Sequence, residues 1–267
     1  MVAYHLRPLS FAELYCFFED RTMFAVRLLA LVGVVLLVSE SLPSRAAADQ
    51  KTGFLDRVHK DADGKDAKYV LFVPHDYKAD KPYPLILFLH GAGERVGGGK
   101  EPVQVGIGPA IKKREKDFPF LVVIPQAQRT WQADSPDAKR ALAILAEVEK
   151  EYKVDAKRVY LTGLSMGGYG TWSLATAQPD KWAAIVPICG GGDPKNADKI
   201  KDIPCWCFHG DADKAVKVER SRDMIEAIKK AGAEPKYTEY PGVGHNSWDK
   251  AYDTKELYEW LLKQHKK

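Results

Sequence analysis

A serine set between closely spaced glycines, Gly163-Leu164-Ser165-Met166-Gly167, follows the strand-like run Val159-Tyr160-Leu161-Thr162 and precedes Gly168-Tyr169-Gly170. This is a G-x-S-x-G pattern on a strand-to-helix turn, and the chemistry it suits is nucleophilic attack. Such a turn forces the serine into a strained backbone geometry and lifts its hydroxyl clear of the sheet, and only residues as small as Gly163 and Gly167 let neighbouring chain approach. The next N–H groups, starting with Met166, lie at a helix N-terminus, where a developing oxyanion is stabilised. A glycine-rich turn can also be purely structural, so the pattern needs partners.

A serine hydroxyl is a weak nucleophile at neutral pH. It needs a base, and the base needs a group that fixes its tautomer and supports its positive charge. Both are available downstream. After the apolar run 203–208 comes His209-Gly210-Asp211-Ala212-Asp213, and after the run 236–240 comes Pro241-Gly242-Val243-Gly244-His245-Asn246-Ser247-Trp248. In a parallel sheet both loops leave on the same edge as the serine turn, where α/β ligand sites lie. His245 is the candidate base. Asp213 and Asp211 compete for the supporting acid, and Asp211 could instead cap its own loop.

The elements that must position these groups alternate. Strand-like runs at 67–73, 84–89, 120–124, 158–162, 182–188, 203–208 and 236–240 are separated by helix-like stretches, the order of a mostly parallel sheet with helices on both faces. Ser135-Pro136 caps a helix carrying Ala138, Ala141, Leu142, Leu145 and Val148. A second helix starts near Val218 and stops at Gly232, and a third is expected to open on a capping box, Asp253 to Glu256. The segment 166–178 follows the serine turn and is closed by Pro179. The loop His90-Gly91-Ala92-Gly93-Glu94-Arg95 and on through Gly97-Gly98-Gly99 is too glycine-rich for packed helix, which frees its N–H groups for a site, and it lacks a P-loop pattern. The connection from Cys189 to Asp202 is too short for a substantial lid.

Four segments in this order, Leu89-His90-Gly91-Ala92-Gly93-Glu94-Arg95, Gly163 to Gly168, His209 to Asp213 and Gly244-His245, resemble the α/β-hydrolase superfamily. The resemblance is to its compact carboxylesterase, dienelactone-hydrolase and prolyl-oligopeptidase-like group, with feruloyl-esterase and polyhydroxybutyrate-depolymerase-like members, and covers the chain from about Tyr69 onward. It implies a triad of Ser165, Asp213 and His245, with Asp213 matching the family's H-G-x-x-D pattern, and an oxyanion hole built from the N–H groups of Ala92 and Met166. His90 would hold its loop by hydrogen bonds rather than move protons. Trp131 and Trp248, beside the expected site edge, are candidate walls of a substrate pocket.

The whole chain of 267 residues, 45% hydrophobic and 28% charged, has the composition of a globular α/β protein. Arg27, the uncharged run 28–38 and Ala46-Ala47-Ala48 follow the order of a secretory signal peptide, so residues 1–48 are expected to be a leader and 49–267 one catalytic domain; Met23 is an alternative start. The apolar run falls short of the ~20 residues a membrane anchor needs. An exported product, periplasmic or extracellular, is expected. With Cys16 in the leader, Cys189, Cys205 and Cys207 remain. A disulfide from Cys189 to either of the others is allowed outside the cytosol, but buried free thiols are the commoner outcome, and the C-x-C spacing falls short of a zinc site. The net charge of +4 is spread over lysines alternating with acids, which disfavours nucleic acid as a partner.

An exported serine esterase acting on a small or polymer-linked ester, with no cofactor and no metal, is therefore expected. The alternatives are a serine peptidase of the prolyl-oligopeptidase-like group and a non-catalytic binding member of the fold.

Overall fold

The computed structural model describes residues 51–61, 63–97 and 101–267. The expected leader with its Cys16, and Gly98 and Gly99 of the glycine-rich loop, lie outside them. Among the described residues no helix is long and apolar enough to cross a membrane.

Eight strands, β1 (Gly53–Lys60), β2 (Asp66–Val73), β3 (Tyr83–Leu89), β4 (Leu121–Pro125), β5 (Val154–Leu164), β6 (Ala184–Ile188), β7 (Trp206–Gly210) and β8 (Lys236–Tyr240), form one sheet in the order β1-β2-β4-β3-β5-β6-β7-β8. The pairs β1·β2 and β2·β4 are antiparallel and all others parallel. The helices are α1 (Ile107–Lys113), α2 (Pro136–Glu151), α3 (Met166–Ala177), α4 (Ala197–Ile200), α5 (Glu219–Lys230), α6 (Trp248–Asp253) and α7 (Lys255–Leu262). This is the α/β-hydrolase fold.

The side-chain period of a strand explains the layers. In β3, Leu85, Leu87 and Leu89 join one core with α2, α3, α4 and α5, whereas Ile86 and Phe88 join a second core with α1, α6 and α7. The same alternation settles the cysteines. Cys205 and Cys207 lie in the first core and Cys189 in the second, and all three are free and buried.

Two local expectations need correction. Strand β1 escaped the sequence reading because it is an edge strand: Asp56, Arg57 and Lys60 give it the charge that protects an exposed edge, and Val58 is 55% exposed. The capping box at Asp253 does not form. Because α6 already occupies the preceding turn, Asp253 ends that helix and its carboxylate goes to Lys113 at 2.5 Å, while α7 starts after Thr254 without a side-chain cap. The cap of α2 is as the sequence suggests, with Ser135 Oγ accepting the Ala138 N–H at 3.1 Å. Between β6 and β7 the chain makes only one 3-10 turn and α4, so among the described residues this connection carries no lid.

Candidate active site

Ser165 lies between the end of β5 and the start of α3 with φ 53° and ψ −115°, one of two described non-glycine residues at positive φ. A conformation of this kind costs on the order of 1–3 kcal/mol and persists only where the surroundings over-determine it. They do so here. The Ser165 N–H donates to Ile188 O at 3.0 Å and its carbonyl accepts from Tyr169 N–H at 3.0 Å. A Cβ on Gly167 would sit 1.8 Å from Leu89 O, so the helix start can press on the end of β3 only as glycine. Across the turn, a Cβ on Gly91 would lie 3.7 Å from that of Ser165, which puts the glycine-rich loop directly against the serine.

The two downstream loops are fastened together before they reach the serine. Gly210 has Val243 O 2.2 Å from where a Cβ would be, and Ala212 N–H donates to Val243 O at 3.1 Å. Asp211 Oδ1 accepts the Gly242 N–H at 2.7 Å, so Asp211 clamps the histidine loop and leaves Asp213 to face the histidine. Ser165 Oγ then lies 2.9 Å from His245 Nε2, and His245 Nδ1 lies 2.7 Å from Asp213 Oδ2. An ionised carboxylate only accepts, so His245 carries its proton on Nδ1 and leaves Nε2 to receive the serine hydroxyl.

Asp213 is fully buried at its side chain, yet it stays ionised. Burial pushes its carboxyl up, but the hydrogen bond from His245 and the N–H groups of Val216 and Ala215 outweigh it and hold the group below the usual carboxylate range. The two N–H groups lie 2.9 and 2.8 Å from Oδ1. Met166 N–H stands at the first position of α3 and Ala92 N–H at the first position of a short helical turn. Such leading N–H groups have no carbonyl one turn back to bind and are free to meet an oxyanion.

Residues 106–256, more than half of the chain, match the family model described as dienelactone hydrolase family. The chain belongs to the dienelactone hydrolase family. It is 25% identical over 230 residues to feruloyl esterase D of Neurospora crassa, covering 80% of this chain and 79% of that one. Over 184 residues it is 26% identical to a probable feruloyl esterase C of Aspergillus niger, 68% of each chain. A solved structure described as a thermostable esterase superposes with a TM-score of 0.70 at 36% identity over 79% of this chain, which spans 63% of that protein. The dienelactone hydrolase family member described here is thus an ester hydrolase of the α/β-hydrolase fold.

The sequence reading passed over His209, which this family member buries completely behind Asp213. Its Nε2 faces only acceptors, Asp213 Oδ2 at 3.1 Å and Val216 O at 3.0 Å, and so must carry a proton; its Nδ1 lies 2.7 Å from Ser221 Oγ. Asp213 Oδ2 therefore accepts from two imidazoles. The available signal was the spacing itself, since His209 stands four residues before Asp213. Cys189 was also unforeseen here: its Sγ, an Asp213 oxygen and a His245 nitrogen all lie within 4.8 Å of one another. Burial pushes that thiol far above its ordinary value, which keeps it a neutral packing group.

Of the two tryptophans expected to wall the pocket, only one faces the site. Trp248 sets its ring edge-on to His245 at 5.3 Å and is partly exposed. Trp131 is buried, donates Nε1–H to His90 O at 2.9 Å and packs edge-on against the His90 ring, so it braces the glycine-rich loop from beneath. The correction has a simple cause: the loop carbonyl needs a buried donor, and the indole supplies it.

His90 is the other brace. The Ala127 N–H donates to its Nε2 at 2.9 Å, which forces the Nδ1–H tautomer, and that proton goes to Gly91 O at 2.6 Å. Burial pulls its pKa down to about 4, against a partial lift from the Gly91 bond. The sign follows: the unfolded chain takes up this proton at about pH 6.5, before the fold can, so stability is lost as pH falls from there toward 4. In nitrogen-detected NMR of the folded protein, His90 is expected to stay neutral and Nδ1-protonated from pH 8 to about 5; an imidazole that titrates near 6.5 would sink this account.

Proposed function

We propose that the chain is a serine-dependent carboxylic-ester hydrolase working through an acyl-enzyme, with Ser165 as nucleophile, His245 as general base and acid, and Asp213 as the acid that orients it. The observation that carries the reading is the unbroken chain of hydrogen bonds from Ser165 Oγ through both nitrogens of His245 to Asp213 Oδ2, at 2.9 and 2.7 Å. In the first half-reaction Oγ bonds to the ester carbonyl carbon as its proton passes to His245 Nε2. The carbonyl oxygen takes the negative charge toward the N–H groups of Ala92 and Met166. The carbon–oxygen bond to the alcohol then breaks, and the departing oxygen leaves with the proton held by His245. Water repeats the sequence on the acyl-serine, giving the free acid and restoring the hydroxyl.

The printed activities of the matched relatives favour feruloyl esters among the carboxylic esters, and the open edge between β6 and β7 suits a bulky or polymer-linked substrate. Ser165→Ala is expected to lower kcat by more than about a thousandfold and to abolish labelling by a fluorophosphonate. Labelling that survives this substitution would remove Ser165 from the reaction.

His209 is offered as a positioning residue. Replacing it with Asn takes away one of the two imidazole donors to Asp213, and a roughly tenfold fall in kcat with KM kept is the expected result, accompanied by an altered pH profile of kcat. A folded variant with wild-type kcat and profile would leave His209 a packing group only.

Export is proposed from the order of Arg27, the apolar run 28–38 and Ala46-Ala47-Ala48. Mass spectrometry of the product recovered outside the cytosol should find Asp49 at its N-terminus; a product that keeps residues 1–48 in the cytosol contradicts the proposal.

A further inference from the structure

Ser221, the third residue of α5, is fully buried, and its hydroxyl is the meeting point of three groups that the mechanism above leaves unconnected. Cys207 Sγ lies 3.3 Å from Ser221 Oγ, His209 Nδ1 lies 2.7 Å away and Gly190 O 3.3 Å. Cys207 and His209 alternate along β7 and so share the face of that strand that packs against α5.

Each partner constrains that hydroxyl. Burial pushes the Cys207 thiol up to about 12, so it keeps its proton and donates it to Oγ. The Gly190 carbonyl can only accept. His209 has its proton on Nε2, between Asp213 Oδ2 and Val216 O, which makes Nδ1 of the neutral ring an acceptor as well. The single hydroxyl proton therefore faces two acceptors; the closer, Nδ1, takes it and the Gly190 carbonyl shares it in a three-centre bond. This donor fixes the tautomer, because a proton moved to Nδ1 would leave Asp213 Oδ2 and Val216 O facing a bare nitrogen.

The Gly190 end of the network reaches the other half of the site. Ile188 O accepts the Ser165 N–H at 3.0 Å, and a Cβ on Gly190 would stand 2.4 Å from Gly168 C and 2.6 Å from Tyr169 N. Residues 188–190 thus lie directly against the serine turn and the first turn of α3. One hydroxyl joins the segment that holds Ser165 to the ring that holds Asp213.

We infer that Ser221 is a positioning residue of the reaction, which acts through His209 by holding its Nε2–H on Asp213 and ties that pair to the loop behind Ser165. The inference rests on the esterase reading above and on the role offered there for His209. Removing the hydroxyl leaves His209 Nδ1 buried without its donor, so the ring loses what fixes its orientation toward the carboxylate.

In the full-length protein, the rate at which a fluorophosphonate labels Ser165 reads the state of the triad whatever the natural ester. Ser221→Ala is expected to label about fivefold more slowly, the scale of one neutral hydrogen bond, with Ser221→Cys, which keeps a weak donor, between it and the wild type. The deciding measurement is the cycle with His209→Asn. Because Ser221 acts through His209, the double variant should label no more than about twofold more slowly than His209→Asn alone. Losses that multiply in the double variant, or a folded Ser221→Ala that labels at the wild-type rate, overturn the inference and leave the esterase reading standing. Nitrogen-detected NMR of the wild type decides it without any variant: at pH 8 His209 should carry its proton on Nε2 alone, and a proton on Nδ1 overturns the inference. A wild type that does not label at Ser165 overturns the esterase reading itself.

Discussion

The backbone contact between Gly167 and Leu89 O is the constraint on which the rest of this molecule depends. At 1.8 Å from a would-be Cβ it admits no side chain, and it brings the end of β3, the end of β5 and the start of α3 to one point. Ser165 is held at positive φ by that meeting, since its own N–H must reach Ile188 O on β6 while the helix begins at the next residue. The glycine-rich loop leaves β3 from the same point, so one close approach fixes both Ser165 and the N–H groups of the proposed oxyanion hole. Strain at the serine is the local cost, and the surrounding parallel sheet, buried on both faces, is rigid enough to sustain it.

The second half of the site is assembled by a different device. Asp213 and His245 come from the loops after β7 and β8, each turned by a backbone bond, Asp213 N–H to Gly210 O and Val243 N–H to Tyr240 O, both at 3.3 Å. Gly210, Asp211 and the backbone of Val243 lock the two loops into one unit, and Asp213 is then saturated with donors on both carboxylate oxygens. Burial alone would neutralise that carboxyl. The hydrogen bonds from His245 and from the N–H groups of Val216 and Ala215 reverse the balance, and the same three donors prevent its rotation, so orientation and ionisation have a common cause.

The parts of this arrangement that were legible in the sequence are those whose signal is local. The serine turn, the cap at Ser135 and the continuous apolar run of β3 each declare themselves within a few residues, because sterics and burial act there at short range. The parts that were not legible depend on partners distant in the chain. Asp211 and Asp213 differ in nothing that composition reveals, and only the approach of Gly242 to one and His245 to the other separates them. Trp131 reads as a pocket wall until His90 O is seen to need its N–H. Strand β1 is charged because it lies on an edge, and α6 displaces the expected cap at Asp253 because the helix before it was too short to announce itself.

Two buried histidines show how the same residue type is made to serve opposite ends. His90 has a backbone N–H pointing at Nε2, which compels the neutral Nδ1–H form, and burial, against partial lifts from the Gly91 bond and the charge of Asp137, drives its pKa down to about 4. His209 has a carboxylate and a carbonyl at Nε2, which compel a proton there, and a serine hydroxyl at Nδ1, able to donate or accept. The first is thus a rigid neutral strut beneath the loop that carries Ala92. The second is bonded directly to Asp213, with Ser221 Oγ at its other nitrogen. His90 thus stands in one fixed tautomer beneath the loop of the proposed oxyanion hole, and His209 stands behind Asp213; the difference follows from which backbone and side-chain atoms the fold presents to each ring.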